Sequence, residues 1–323
     1  MGRPTRIFFA SDIHGSEVTY RKFLSAATRY EVDMLIFGGD LMGKALVPIV
    51  RTDRSVWKAH TSDGTRTFTS EQDLSELKAN LGALGLYWWE GDADEYDAFS
   101  HDAEAVEAMF ERAAAARLES WISLADERLK DSQTRAFLCG GNDDTDALLL
   151  VLEERDSSHV IACDNRVVPL DDQHEMVTVG FSTPTPWNTP RERTDDIIAA
   201  EIDRLVGSLD DPSRCIFNFH APPLNSTLDR CMKLDSSTWP PSPVMKKGQP
   251  VYVGVGSAAV DSAIRSYNPV AGLHGHIHES RGVVSIGNSL SFNAGSEYSE
   301  GILRGLILVV RDNKVEGYQF TSG

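Results

Sequence analysis

Five short segments rich in Asp, His, Asn and Gly each follow an apolar run in this chain: Ser11-Asp12-Ile13-His14, Gly38-Gly39-Asp40, Gly141-Asn142-Asp143, Asn218-Phe219-His220 and Gly275-His276-Ile277-His278. A short apolar run reads as a buried strand, and the polar segment behind it as the loop at that strand's carboxyl end. Five of the nine histidines, counting His274, fall in or beside these segments, which chance placement does not produce. The pattern confines the chain to a sheet-based α/β fold whose polar side chains collect along one sheet edge, where such sheets bind ligands.

The rest of the sequence fills in that frame. Residues 6–11 and 34–38 predict buried strands, separated by a helix over 17–30 with Tyr20, Phe23 or Leu24, and Ala27 at helical spacing. Further strands are predicted at 135–139, 159–162, 176–181, 215–219, 272–274, 283–286, 291–293 and 306–310. The last of these turns across Asp312-Asn313 into 315–320, and helices are predicted at 195–206 and 257–266. Between about 43 and 133 the pattern changes. Residues 61–69 are polar and turn-rich, 71–81 look helical, and a longer helix over 101–129 carries Val106, Phe110, Ala114, Leu118, Ile122, Ala125 and Leu129 on one stripe. Tyr87, Trp88, Trp89, Tyr96 and Phe99 are expected to fill the space between these helices. The expected organisation is one domain over residues 1–323 with a helical insertion at about 43–133.

Charge and cysteine content narrow the function. With 48 acidic against 31 basic residues the net charge is −17, a surface that repels nucleic acid and anionic membrane and suits a small anionic substrate. Cys139, Cys163, Cys215 and Cys231 form no CxxC pair, so reduced thiols and a cytoplasmic location are expected. The start shows no signal-peptide pattern, and no apolar run approaches a membrane span, the best being 302–310 with Arg304 inside it. The oligomeric state is left open, and a homodimer is compatible with all of this.

The segments themselves carry a metal-binding donor set. Imidazole nitrogen with carboxylate and carboxamide oxygen suits borderline divalent ions such as Mn, Fe or Zn. A carboxylate bridges two cations readily, and Asp40 is the natural bridge. Two cations roughly 3.5–4 Å apart acidify a water and clamp the oxygens of a phosphoryl group in displacement.

In this order the five segments, spanning Asp12 to His278, resemble the calcineurin-like metallophosphoesterase superfamily. The stretch from Gly256-Ser257 through His276-Ile277-His278-Glu279-Ser280 to Asn293-Ala294-Gly295-Ser296 also resembles uncharacterised microbial members of it. The resemblance implies an α/β fold, a four-layer α/β/β/α sandwich of two mixed sheets with both metals at the sheet edge. It implies Asp12, His14 and His278 on one metal, Asn142, His220 and His276 on the other, and Asp40 between them. Hydrolysis by a metal-bridging hydroxide is the implied chemistry, with Asp40, Asn142 and Asp143 the residues expected to carry it. In many members the position of Asp143 is a histidine, proposed to protonate the leaving group. An Asp is a poor general acid at neutral pH, so the sequence leans to phosphodiester substrates. A phosphomonoesterase and a non-catalytic metal-binding scaffold are the alternatives. Asp143 could instead orient His14, Lys44 could reach a substrate phosphate, and His274, spaced two residues before His276, reads as structural.

Overall fold

The computed structural model describes residues 3–61 and 64–323. Two six-stranded mixed sheets form the body. The first runs in the order Lys314–Ser322, Arg304–Arg311, Thr5–Ala10, Met34–Phe37, Arg135–Leu138, Val160–Ala162. Its last four strands are parallel, and the carboxyl-terminal hairpin pairs antiparallel to Thr5–Ala10. The second runs Gly282–Ile286, Ser289–Asn293, Ala271–His274, Cys215–Phe219, Glu175–Val179, Val167–Pro169, with its four central strands parallel.

Strand alternation sorts the apolar side chains into three layers of core. Ile7, Phe9, Ile36 and Phe137 meet Met176, Ile216, Leu273 and Phe292 between the sheets. Phe8, Leu35 and Phe37 point the other way, onto the helices Glu17–Arg29 and Ala103–Leu129. Val177, Val179, Phe217 and Phe219 face Asp195–Val206 and Ala258–Tyr267 on the outer side of the second sheet. The central strands are thus buried on both faces, which is why they read as unbroken apolar runs. The result is the four-layer α/β/β/α sandwich. Tyr20 fixes the first helix to the longest one: its ring stacks on Trp121 with centroids 4.2 Å apart, and its hydroxyl donates to the Trp121 carbonyl at 3.0 Å.

Three regions differ from the sequence expectation. The insertion is not helical throughout, since it contains a four-stranded sheet in the order Gly64–Phe68, Val56–Thr61, Leu46–Asp53, Tyr87–Asp92. This sheet has a small core of its own, with Val47, Ile49, Trp57 and Ala59 on Leu74, Leu77 and Leu81 of the helix Glu71–Ala83. Tyr87, Trp88 and Trp89 are therefore strand residues, and of the three Tyr87 packs on the longest helix, edge-on to Phe110. Within the expected polar turn at 61–69, residues 64–68 form the edge strand, while 62 and 63 lie outside the described residues. The helix predicted over 101–129 starts at Ala103, because the Asp102 carboxylate accepts from the Glu104 and Ala105 N–H groups and caps it. A separate helix, Ala93–Ser100, precedes it behind an Asp92–Glu95 capping box. Finally, residues 230–254, where no element was predicted, form short antiparallel ribbons led by Arg230–Met232 against Tyr252–Gly254.

Candidate metal centre

All seven residues expected to hold metal lie at the carboxyl ends of the parallel strands. Asp12 and His14 follow Thr5–Ala10, Asp40 follows Met34–Phe37, Asn142 follows Arg135–Leu138, His220 follows Cys215–Phe219, and His276 and His278 follow Ala271–His274. Backbone bonds knit the first two loops together: Asp12 N–H to Gly39 O at 2.9 Å, His14 N–H to Asp40 O at 3.1 Å and Gly15 N–H to Leu41 O at 2.8 Å. Asp12, His14, Asp40 and His276 all adopt positive φ, 55°, 41°, 59° and 66°. For a residue with a side chain that conformation costs about 1–3 kcal/mol, and such strain concentrates at functional sites. The lack of a side chain at Gly141 is needed too, because a Cβ there would collide with the Asp40 carboxylate and sit 2.7 Å from the His220 ring.

Two half-sites result. In one, the ligating atoms of Asp12, His14 and His278 lie within 4.8 Å of one another. His14 Nε2 and His278 Nε2 are 3.1 Å apart, and His278 Nε2 is 3.5 Å from Asp12 Oδ1. In the other, His220 Nε2 lies 3.0 Å from Asn142 Oδ1 and 3.4 Å from Asp40 Oδ2. His220 Nδ1–H donates to the Gly38 carbonyl at 2.8 Å, so Nε2 is the nitrogen turned to the site. His276 faces this half-site, its ring centroid 5.4 Å from that of His220. Asp40 belongs to both, with Oδ2 also 3.6 Å from His14 Nε2.

The electrostatics fit a cationic occupant. Burial opposes ionisation of Asp12, yet the hydrogen bond and charge of His278 hold its carboxyl below the ordinary range. Asp40 is likewise buried but held well below that range by the charge and hydrogen bond of His220. Burial pushes His14 down to about 3 and His276 to about 4. Against burial, Asp40 pushes His220 up to about 10, and Asp12 raises His278. The pocket therefore offers buried anionic oxygens and neutral imidazoles, and its carboxylates are balanced by protons on His220 and His278 and by the Lys44 charge. Divalent cations would substitute for those protons. His14 Nδ1, on the side of the ring turned to Asp143, is buried without a hydrogen-bond partner, while Nε2 faces the half-sites.

Other expected residues fall into place around this pocket. Asp143 Oδ2 is 3.5 Å from His14 Nδ1 and 3.0 Å from Lys44 Nζ, and its backbone N–H donates to Asp40 Oδ1 at 3.0 Å. Burial and the Asp40 charge push Asp143 up to about 6, against the pull of Lys44. Lys44 is half exposed and lines a cleft above the centre with Asp40, Asn142, Asp143, His276 and His278. His274 is structural as expected, with Nδ1–H donating to the carbonyls of Phe219 and Ala221. Asn293 ties the loop that carries His276 and His278, its amide donating to the Leu228, Gly275 and Ile277 carbonyls.

Several further residues support the site, and of these the sequence pointed only to the loop that carries Ser296. The fully buried carboxylate of Asp144 accepts from the backbone of Leu41 at 3.0 Å, Met42 at 2.7 Å and Gly141 at 2.7 Å, clamping the Asp40 loop to the Asn142 loop. Arg191, also buried, donates to Gly141 O at 3.0 Å and to Asp164 at 2.6 Å. Thr189 Oγ1 accepts from Asn142 Nδ2 at 2.9 Å, which turns the amide oxygen toward His220. Tyr298 packs its ring 4.7 Å from His14, and Ser296 Oγ donates to the Asp12 carbonyl at 2.6 Å.

Known proteins resemble this arrangement at a distance. No protein-family model matches the chain. An uncharacterised protein of Methanocaldococcus jannaschii, MJ1162, is 28% identical over 175 residues, covering 53% of this chain and 69% of that one. Two solved structures align over 99% of both chains with TM-scores of 0.56 and 0.55 at 13% and 14% identity, the second being TT1561 of Thermus thermophilus. A dimetal phosphatase from Danio rerio aligns over 98% of each chain with a TM-score of 0.43 at 8% identity, too remote to carry an argument. At these identities the two likenesses show a shared fold.

Proposed function

We propose that this chain is a metal-dependent phosphoric ester hydrolase with a dinuclear centre. One observation carries the reading: a single carboxylate oxygen, Asp40 Oδ2, lies 3.6 Å from an imidazole of one half-site and 3.4 Å from an imidazole of the other. Asp12, His14 and His278 would hold one cation and Asn142, His220 and His276 the second, with Asp40 shared. Mn, Fe or Zn fits these donors. When bound, such a pair supplies an acidified water and positive charge against phosphoryl oxygens.

The chain's own residues do the rest. Asn142, held by Thr189, keeps its oxygen toward the second half-site and its amide hydrogens away from it. Lys44 brings a charge into the cleft and is positioned by Asp143, where it would meet an oxygen of a bound phosphate. Asp143, paired to Lys44 and facing His14, orients these groups, and cations bound beside Asp40 would hold it ionised and so poorly suited to protonating a leaving alkoxide. That favours diesters with good leaving groups over monoesters. The whole of residues 1–323 acts as one catalytic body, with residues 43–133 an insertion that buttresses the first two loops. The substrate is small, in keeping with the net charge of −17. Among the described residues no helix is long and apolar enough to cross a membrane, and a cytoplasmic setting suits the free thiols.

The test is hydrolysis of an activated phosphodiester by the protein supplemented in turn with Mn, Fe and Zn. Wild type should turn over with at least one, while folded Asp40→Ala and His220→Ala should lose activity by several orders of magnitude. Equal turnover by wild type and variants would remove the centre from the chemistry.

A further inference from the structure

We infer that the cleft above the metal centre takes a phosphate ester whose second arm is a flat aromatic group seated against Trp187. The inference rests on the phosphoesterase reading for the floor of the cleft and adds the nature of the arm. The cleft encloses about 470 Å³, far more than a phosphate group fills and within the range of small-ligand sites. It is two-faced. The metal-facing residues and Lys44 form a polar part of its lining and Pro184, Pro186, Trp187, Leu234, Val253 and Val255 an apolar part, with Lys233 and Glu279 also in the wall. A phosphoryl group held at the polar part would leave the apolar part to a substituent attached to it.

The apolar end favours a ring over a flexible chain. Two prolines of fixed backbone φ and an indole make a rigid wall, which matches a rigid partner at low entropic cost. Trp187 is 49% exposed and Trp239 77%. Their rings meet at 71° with centroids 6.0 Å apart, so the pair is not spent in a face-to-face stack and retains surface for a third ring. The wall is also tied to the chemistry. Trp187 N–H donates to Thr185 Oγ1 at 3.1 Å, and Thr185 and Thr189 share Glu192 Oε1 at 2.5 and 3.0 Å. Thr189 in turn holds the Asn142 amide at 2.9 Å. One hydrogen-bonded loop thus sets both the aromatic wall and a metal-facing side chain, fixing the distance between arm and phosphoryl group.

The test compares equilibrium binding of phenylphosphonate and methylphosphonate, two non-hydrolysable probes of similar charge, to the Mn-supplemented protein by calorimetry. Wild type should prefer phenylphosphonate by about tenfold or more, the scale of one aromatic stack. Trp187→Ala should cut that preference to about twofold, and Trp187→Phe should keep most of it, with unchanged circular dichroism in both. If both probes bind wild type equally, or Trp187→Ala keeps the full preference, the inference falls and the phosphoesterase reading stands. If neither probe binds wild type, the metal-site reading falls and takes this inference with it.

Discussion

Replacing Asp144 by Asn tests whether the metal site depends on a buried clamp that touches no metal. In the wild type one carboxylate oxygen accepts from Leu41 and Gly141 and the other from Met42, at 2.7–3.0 Å. Asn keeps one acceptor oxygen. With that oxygen serving Leu41 and Gly141, its NH2 group confronts the Met42 N–H donor to donor. A buried unsatisfied donor costs about 1–3 kcal/mol, and the two remaining bonds lose their charge assistance, roughly half of each. Part of this is returned because the neutral amide no longer buries a charge, leaving a net loss of about 2–4 kcal/mol. With an unfolding entropy of about 2.1 cal/mol/K per residue, that lowers Tm by roughly 3–6 °C for a chain of 323 residues. The larger effect falls on the site, since both Asp40 and Asn142 lose their common anchor. Loss of such outer partners weakens metal affinity by about 10- to 100-fold. Calorimetric melting and chelator competition for Mn measure the two quantities on the same samples. A folded Asp144→Asn protein with wild-type Tm and wild-type Mn affinity would refute the clamp.

Two further outcomes follow from the same geometry. Asp143→His should raise monoester turnover relative to diester turnover, measured on a matched pair of aryl esters; an unchanged ratio would mean that the proton donor is not what limits monoesters. Far from the site, His174 donates through Nδ1 to Asp171 at 2.9 Å and through Nε2 to the Asp312 carbonyl at 2.5 Å, which makes it an imidazolium. Burial works against that charge, but the Asp171 and Asp312 hydrogen bonds outweigh it and raise His174, while the His174 and Thr5 hydrogen bonds outweigh burial and lower Asp171. The raised His174 stabilises fully below its unfolded value of about 6.5 and stops doing so as pH rises through its folded value; the lowered Asp171 stabilises above about 3.9 and stops as pH falls through its own. Both contribute between about pH 4 and 6.5, so wild type should lose Tm as pH rises above that window and His174→Gln should lack this slope. Parallel pH profiles would dismiss the pair.

What the sequence disclosed and what it withheld divide along a physical line. The strands that carry the ligands are buried on both faces, so Ile7–Ala10, Met34–Phe37 and Cys215–Phe219 stand out as apolar runs with metal-binding residues behind them. The insertion's sheet did not stand out because its strands are half solvated: Gly64–Phe68 is exposed almost throughout, and Val56–Thr61 alternates Trp57 and Ala59 with Lys58 and His60. Its fourth strand hid behind Tyr87, Trp88 and Trp89, which look equally at home between helices. The ribbons at 230–254 are too short for any periodicity to register. The supporting residues were silent for another reason. Asp144 acts on Leu41, 103 positions away, and Arg191 on Gly141, 50 positions away, and a single charged residue in a loop has no pattern that shows whether folding will bury it.

The central claim is that Asp40 is shared by two cations. Anomalous diffraction from crystals grown with Mn tests it directly. Two peaks roughly 3.5–4 Å apart on either side of the Asp40 carboxylate are predicted, one beside Asp12, His14 and His278 and the other beside Asn142, His220 and His276. A lone peak away from Asp40, or none in the pocket at saturating Mn, would contradict it.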